Sequence, residues 1–467
     1  MKDESMNEIV RIKYGFPSIL TADDFLIMFL VTIISYWTRF YRIQYPDVPI
    51  FDEVHFGRFT NGYCEGKYFF DIHPPLAKLI IYGFASSYQY DCKLNFSSSQ
   101  YDNPDYISLR KIPALFSSFC PVLIYLASRC TKLSVTASFT SSIMILCENS
   151  MITEGRFLLT DGILHFFVCA SILCLSCIHL YPPYTFWWYL STLLSAFLIG
   201  CSISTKLTSL SLLPICCLYH LINILFYPTS KYPLIIDLLI RSIISIFPII
   251  FVFLMSFVIH IILLPYNGPG DAYMGYEFRQ TLINISNANE DMSKRVRSPS
   301  MLNRIIDLNI IMHQSNMRLK ASHPYSSKFY QWPLLISNRL YFWRKFDLSI
   351  ALLLNPTNVI ITSLSVVLFV LSIFFYNKMD SSTYRRWITV SVFSTGYFCS
   401  FLPFSLIKRV LFLYHYIIPL IFGVLLYVSL VDMFLPISKR WKSCILILSQ
   451  VFSAITFLKY SYLTYGI

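Results

Sequence analysis

Apolar runs follow one another along almost the whole chain, separated by short polar interruptions. They fall at about 24–40, 110–129, 133–150, 157–179, 186–204, 207–228, 236–264, 349–376, 386–404, 410–434 and 443–463. About 20 apolar residues in a helix cover the hydrocarbon of a bilayer, where every backbone polar group has to be bonded internally. The pattern therefore predicts an all-α polytopic membrane protein with about 11 transmembrane helices, of which the third and fifth runs are the shortest.

Two long polar stretches break the rhythm, at about 41–109 and 265–348. The chain divides accordingly into an N-terminal tail (1–23), a first membrane block that includes the first loop (24–264), a second large loop (265–348) and a C-terminal membrane block (349–467). In the first loop, segment 76–84 after Pro74 and Pro75 predicts a short amphipathic helix along the interface. The second loop opens on a polar stretch at 284–300. A helix follows with Ile305, Ile306, Leu308, Ile310, Ile311 and Met312, then the aromatic run HPYSSKFYQWPLL. Trp332 and Trp343 are expected in the aromatic belt at headgroup level.

Composition narrows the class. Hydrophobic residues make up 55% of the chain and charged residues 13%, about half the usual charged fraction of a soluble domain. The net charge of +12 is scattered at the ends of apolar runs, which fits juxtamembrane positive charge and not nucleic-acid binding. With the N-terminus cytoplasmic, twelve Lys and Arg, among them Arg129, Lys132, Arg386, Lys439, Arg440 and Lys442, lie on the cytoplasmic side. Short loops opposite carry Arg156, Lys206, Lys408 and Arg409. The positive-inside rule then puts both long loops and the C-terminus in the lumen. No cleavage site follows the first apolar run, so it is expected to stay as an anchor. Most of the 13 cysteines sit in apolar runs as small hydrophobes, whereas Cys64 and Cys92 share the first loop and could form a single disulfide. No inverted repeat suggests a transporter.

Candidate chemistry gathers at the ends of the runs. Asp52 and Glu53 are adjacent acids in FDEVHFGRF. Carboxylates near a low-dielectric boundary are costly unless paired or used, so one of them is a base or both anchor the loop on Arg39, Arg58 or Lys67. Asp71 and His73 precede the Pro-Pro step. Arg39 and Arg110 flank the first loop, and a guanidinium fork suits phosphate or carboxylate, although snorkelling also explains such positions. Glu148, Glu154, Arg156 and Asp161 border the third and fourth runs, and Asp161, inside LLTDGILHFF, needs an interior partner or a cavity. His313, His323 and Tyr325 fall in the second loop, and Lys408, Arg409, His415 and Tyr416 in FSLIKRVLFLYHYIIPLIF. No glycine-rich nucleotide loop, zinc-binding His-Glu-x-x-His or nucleophile motif is present.

These strings resemble the protein O-mannosyltransferases of the endoplasmic reticulum. FDEVHFGRF with YFFDIHPPLAKLI is similar to that family's first lumenal loop, and ENSMITEGRFLLTDGILHFF to its third and fourth spans. PYNGPGDAYMGYEF and ASHPYSSKFYQWPLL are similar to the two ends of its second loop, and LPFSLIKRVLFLYHYIIPLIF to a late span. The resemblance implies a GT-C type core that transfers mannose, with inversion, from dolichyl-phosphate mannose to Ser or Thr hydroxyls of secretory proteins. It implies Asp52 as catalytic acid residue, Glu53 at the acceptor, and Arg39 and Arg110 as arginines needed for activity. Asp71, His73, His323, Tyr325, Lys408 and Arg409 become substrate-binding candidates. A lipid-phosphate leaving group needs positive charge more than a strong acid, so no metal or other cofactor is implied. The expected setting is the endoplasmic reticulum membrane, and the expected partners are the lipid-linked donor, the polypeptide acceptor, membrane lipid and a second, identical or related, transferase subunit.

One departure stands out. The family's second loop normally holds a β-trefoil MIR domain, and the stretch at 265–348 is too short for it. A related polyprenyl-phosphate-sugar transferase with another acceptor, or an inactive partner of an active homologue, is the alternative reading. Asn95 in NFS and Asn284 in NIS are glycosylation sequons, both lumenal in this topology.

Overall fold

A computed structural model describes residues 20–226, 232–283, 299–319, 323–337, 339–375, 379 and 381–467. Most of the tail, the polar stretch 284–298 and Asn284 lie outside the described residues.

The first membrane block begins with α1 (Ala22–Phe40). Two helices of the first loop come next, α2 (Glu53–Glu65) and α3 (Leu76–Ser87), followed by α4 (Asp105–Ser118), which runs on into α5 (Cys120–Cys130). Then come α6 (Val135–Leu146), α7 (Asn149–Gly155), α8 (Asp161–Cys177), α9 (Phe186–Thr205), α10 (Leu212–Phe226) and α11 (Leu234–Leu263). The second loop contains α12 (Tyr276–Arg279), α13 (Met301–Arg318), β1 (Leu340–Lys345) and β2 (Leu348–Leu352). The chain closes with α14 (Pro356–Ile373), α15 (Ser381–Phe401), α16 (Ile417–Ser429) and α17 (Lys439–Tyr465).

Each of the eleven predicted runs contains a helix. Nine of the described helices are long and apolar enough to cross a membrane. Outside those nine stand α1, which carries Asp23, Asp24 and Arg39, and the twelve-residue α6. The bundle packs α9 against α8 and α11, α5 against α6 and α8, and α15 against α16, with α17 along α6. Near the start of α1, Asp24 accepts from Arg129 Nε at 2.7 Å and is fully buried, a paired charge of the kind an apolar interior tolerates.

The sequence reading needs two structural corrections. The predicted run 133–150 ends at Leu146 because the buried Glu148 must find partners. The chain turns there, and its carboxylate accepts from Ser150 Oγ, the Asn355 amide and Asn358 Nδ2, each at 2.8 Å. A buried carboxylate without such bonds would cost several kcal/mol. The run predicted from 349 starts as a strand, since Leu348–Leu352 pairs antiparallel with β1 in the register Leu340↔Leu352 and Arg344↔Ser349. Helix α14 waits for Asn355, whose side chain caps Thr357 N at 3.1 Å, with Pro356 at the first helical position. Short apolar runs suit strand and helix alike, which is why periodicity alone misread this one.

The two tryptophans of the expected aromatic belt are placed differently. Trp332 is fully buried, with Nε1 donating to Ser327 Oγ at 2.8 Å and its ring parallel to that of His415. Trp343 is half-buried on β1, edge-on to Tyr45.

The two long loops are stitched together. Tyr68 N donates to Tyr266 O at 2.8 Å and Gly270 N to Tyr68 O at 3.1 Å. A Cβ on Gly268 would lie 2.4 Å from the Tyr68 carbonyl oxygen, and one on Gly270 equally close to the Phe69–Phe70 peptide. Only glycine allows backbones this near. The predicted helix at 76–84 is α3, and the predicted helix in the second loop is α13, which buries Ile305, Leu308 and Met312. Cys64 and Cys92 form a disulfide that ties the end of α2 to the rest of the first loop.

Candidate active site

Asp52 stands directly before α2, partly buried, two residues after the fully buried Ile50. Among the described residues its carboxylate forms no salt bridge. Burial pushes its pKa above the ordinary carboxylate range. Lys206 and His55 pull it down, while Asp161 and Asp71 push it further up. A carboxylate so placed takes up a proton more readily than a solvated one.

Lys206 was not singled out among the candidate groups, yet it is the centre of the site. It follows α9 at the break before α10, where its ammonium donates to both oxygens of Asp161, at 2.7 and 2.9 Å. It is the interior partner that Asp161 required. Glu154 and His165 border the pair, and one ligand atom from each of Glu154, Asp161 and His165 lies within 4.8 Å of the others. A cation from the chain itself already holds both Asp161 oxygens. The signal that could have found Lys206 was a lone lysine between two apolar runs on the same side as the long loops.

Two small cavities flank this centre. One is walled by Asp71, His73, Lys78, His260, Leu308 and Met312. In it Lys78 pairs with Asp71 and donates to the carbonyls of His73 (2.8 Å) and Pro74 (3.1 Å), so all three ammonium protons are engaged. Burial raises and the Lys78 ammonium lowers the Asp71 pKa, with a net fall. The His73 imidazole is pushed down to about 3 by burial, so it is neutral at physiological pH. The second cavity is walled by Asp161, His165, Lys206, Thr208, Tyr414 and His415. Arg409 reaches His415 Nε2 at 3.2 Å and hydrogen-bonds Asn316 on α13. Asp52 thus lies within electrostatic reach of Lys206, Asp161 and Asp71, and His73 within reach of Asp71, Lys206 and Arg409.

Other predicted residues sit elsewhere. Glu53 and Arg110 form a buried pair with every donor used: Arg110 Nε and Nη2 go to Glu53 at 2.8 and 2.7 Å, and its remaining N–H groups to the carbonyls of Ile43, Pro46 and Val48. Glu53 also accepts from the Ile50 and Leu158 amides. The expected catalytic pair Glu53 and Arg110 is thus fully engaged with the protein itself. The proposed loop anchors Arg39, Arg58 and Lys67 are engaged elsewhere too, Arg58 with Ser97 Oγ and Lys67 with Glu65. Arg39 is fully buried and donates to the carbonyls of Leu146 and Ile145 in the last turn of α6. A cation there satisfies orphan carbonyls and the negative end of the helix dipole. Lys408 is exposed, and so is His323, which stacks edge-on against Phe412 and contacts Tyr325.

Comparison with known proteins decides the family. Residues 29–265 match the model of dolichyl-phosphate-mannose-protein mannosyltransferase, and residues 301–467 that of the C-terminal four-helix region of protein O-mannosyltransferase. The chain belongs to the protein O-mannosyltransferase family. It is similar to dolichyl-phosphate-mannose–protein mannosyltransferase 4 of Schizosaccharomyces pombe, 32% identical over 326 residues that cover 65% of this chain and 40% of that protein. It is also 30% identical to mannosyltransferase 3 of Saccharomyces cerevisiae over 268 residues, covering 56% and 36%. The matched part is thus well under half the length of either relative. In fold it is similar to a chain of the S. cerevisiae protein O-mannosyltransferase Pmt1–Pmt2 complex bound to the sugar donor, with TM-score 0.88 and 18% identity over 97% of this chain and 92% of that one. An oligosaccharyltransferase of Archaeoglobus fulgidus shares the fold more distantly, with TM-score 0.53 and 10% identity over 95% and 56%. The fold is therefore that of a protein O-mannosyltransferase, and the two family matches contain Asp52, Asp71, His73, Asp161, Lys206 and Arg409.

Proposed function

We propose that this chain transfers mannose from dolichyl-phosphate mannose to Ser or Thr hydroxyls of secretory polypeptides, with inversion, at the endoplasmic reticulum membrane. Asp52 is the general base. It takes the acceptor hydroxyl proton as the oxygen attacks the anomeric carbon, and the bond from that carbon to the lipid-phosphate oxygen breaks. The leaving phosphate carries the electron pair, so it needs cations held ready. Lys206, and Arg409 beyond it, supply them on the side of the second cavity. The Asp71–His73 cavity serves the acceptor side, and Glu53 with Arg110 fixes the start of α2 and so the direction of Asp52. His323, Tyr325 and Lys408 form the rim over which substrates pass.

In this reading all eleven helical runs cross the bilayer, with residues 1–23 cytoplasmic, the loops at 41–109 and 265–348 lumenal, and the C-terminus lumenal. The second loop works without an inserted MIR domain, and a second transferase subunit of the same kind is the expected partner. The observation that carries the proposal is a carboxylate with raised proton affinity and no salt bridge among the described residues, within electrostatic reach of the lysine that pairs with Asp161. The test is transfer from dolichyl-phosphate mannose to a Ser/Thr peptide by the purified full chain, alone and with a co-expressed relative. Absence of transfer in both settings overturns the reading.

A further inference from the structure

Helix α13 touches both sides of the site through one face. Leu308 and Met312, 2% and 3% exposed, wall the Asp71–His73 cavity. Asn316 continues the same stripe, since residues four apart lie one above the other on a helix. Its Oδ1 accepts from Arg409 Nη1, while Arg409 Nη2 meets His415 Nε2 at 3.2 Å. Just beyond the helix, Leu319 O accepts from Val410 N at 3.2 Å, so backbone and side chain together fasten the end of α13 to the segment that carries Arg409.

We propose that Asn316 is a positioning residue for the lipid phosphate: it holds the Arg409 guanidinium in the orientation that engages the anion. This rests on the donor assignment above. An amide oxygen orients a guanidinium without neutralising it, as a carboxylate would, so the arginine keeps its full charge for the ligand. Asn316 itself is only partly buried and belongs to neither cavity wall. It acts through Arg409 alone.

Binding of dolichyl phosphate to the purified full chain in nanodiscs tests this without any turnover. Asn316→Ala is expected to weaken binding about five- to tenfold, the scale of one ordinary net hydrogen bond. Arg409→Ala is expected to weaken it more, and the double variant no further than Arg409→Ala. Asn316→Leu keeps the branched side-chain shape and removes the amide, acceptor oxygen included, so it carries the test should the alanine variant fold poorly. Wild-type affinity in Asn316→Leu, or an additive loss in the double variant, overturns the proposal. If the wild-type chain itself does not bind dolichyl phosphate, the donor assignment fails instead.

Discussion

Arg110 closes a two-pronged ion pair on Glu53, 57 residues away in sequence, and spends its other donors on three carbonyls of the segment 43–48. The pair thereby ties α4 to the start of α2, one residue from Asp52. Removing one partner leaves an uncompensated buried charge, which costs about 3–5 kcal/mol. Arg110→Ala is expected to lower thermal stability in detergent by that order, with transfer lost alongside. Unchanged melting together with lost transfer would mean that Arg110 meets substrate after all.

Asp52→Asn is expected to behave in the opposite way. It keeps the shape, removes the base, and breaks no salt bridge among the described residues. General-base catalysis is worth about 10²–10⁴-fold, so kcat should fall by that factor while melting stays within a degree or two. A small drop in kcat would remove Asp52 from the chemistry.

The contrast between these neighbours marks what a sequence can carry. The bundle was legible because bilayer thickness enforces long apolar runs, and the acids at 52 and 53 were legible as costly groups at a boundary. Which of the two remained free was not, because the choice depends on Arg110 arriving from another helix. Lys206 was hidden for the same reason: its meaning lies in Asp161, 45 positions away. Arg39 and Trp332 were read as surface groups from their places near run ends, whereas the fold buries both. A position along the chain gives depth in the membrane and says little about which way a side chain turns.

The Cys64–Cys92 bond closes a loop that spans 28 positions and includes α3. Loop-closure entropy gives such a crosslink about 3–4 kcal/mol. Cys64→Ser, or reduction of the wild type, is expected to loosen residues 64–97 first. Limited proteolysis should then cut near the exposed Asn95 while the bundle stays intact. In a host that N-glycosylates, glycan on Asn95 would report this loop as lumenal, and cytoplasmic labelling there would reverse the topology.

Lys206→Met gives the sharpest reading of the centre because two effects point in different directions. Removing the ammonium takes a cation from the leaving phosphate, so the KM for the lipid donor should rise about tenfold or more. It also removes the charge that holds the Asp52 pKa down, while Asp161 and Asp71 continue to push it up. A base is active when deprotonated, so the acid limb of kcat/KM lies above the ordinary carboxylate range in the wild type. In Lys206→Met it should move to still higher pH. Lys206→Arg keeps the charge and should keep the wild-type limb, even where altered geometry costs rate. If the limb stays fixed in Lys206→Met, the titrating base is not electrostatically coupled to residue 206, and Asp52 is not the group that takes the proton.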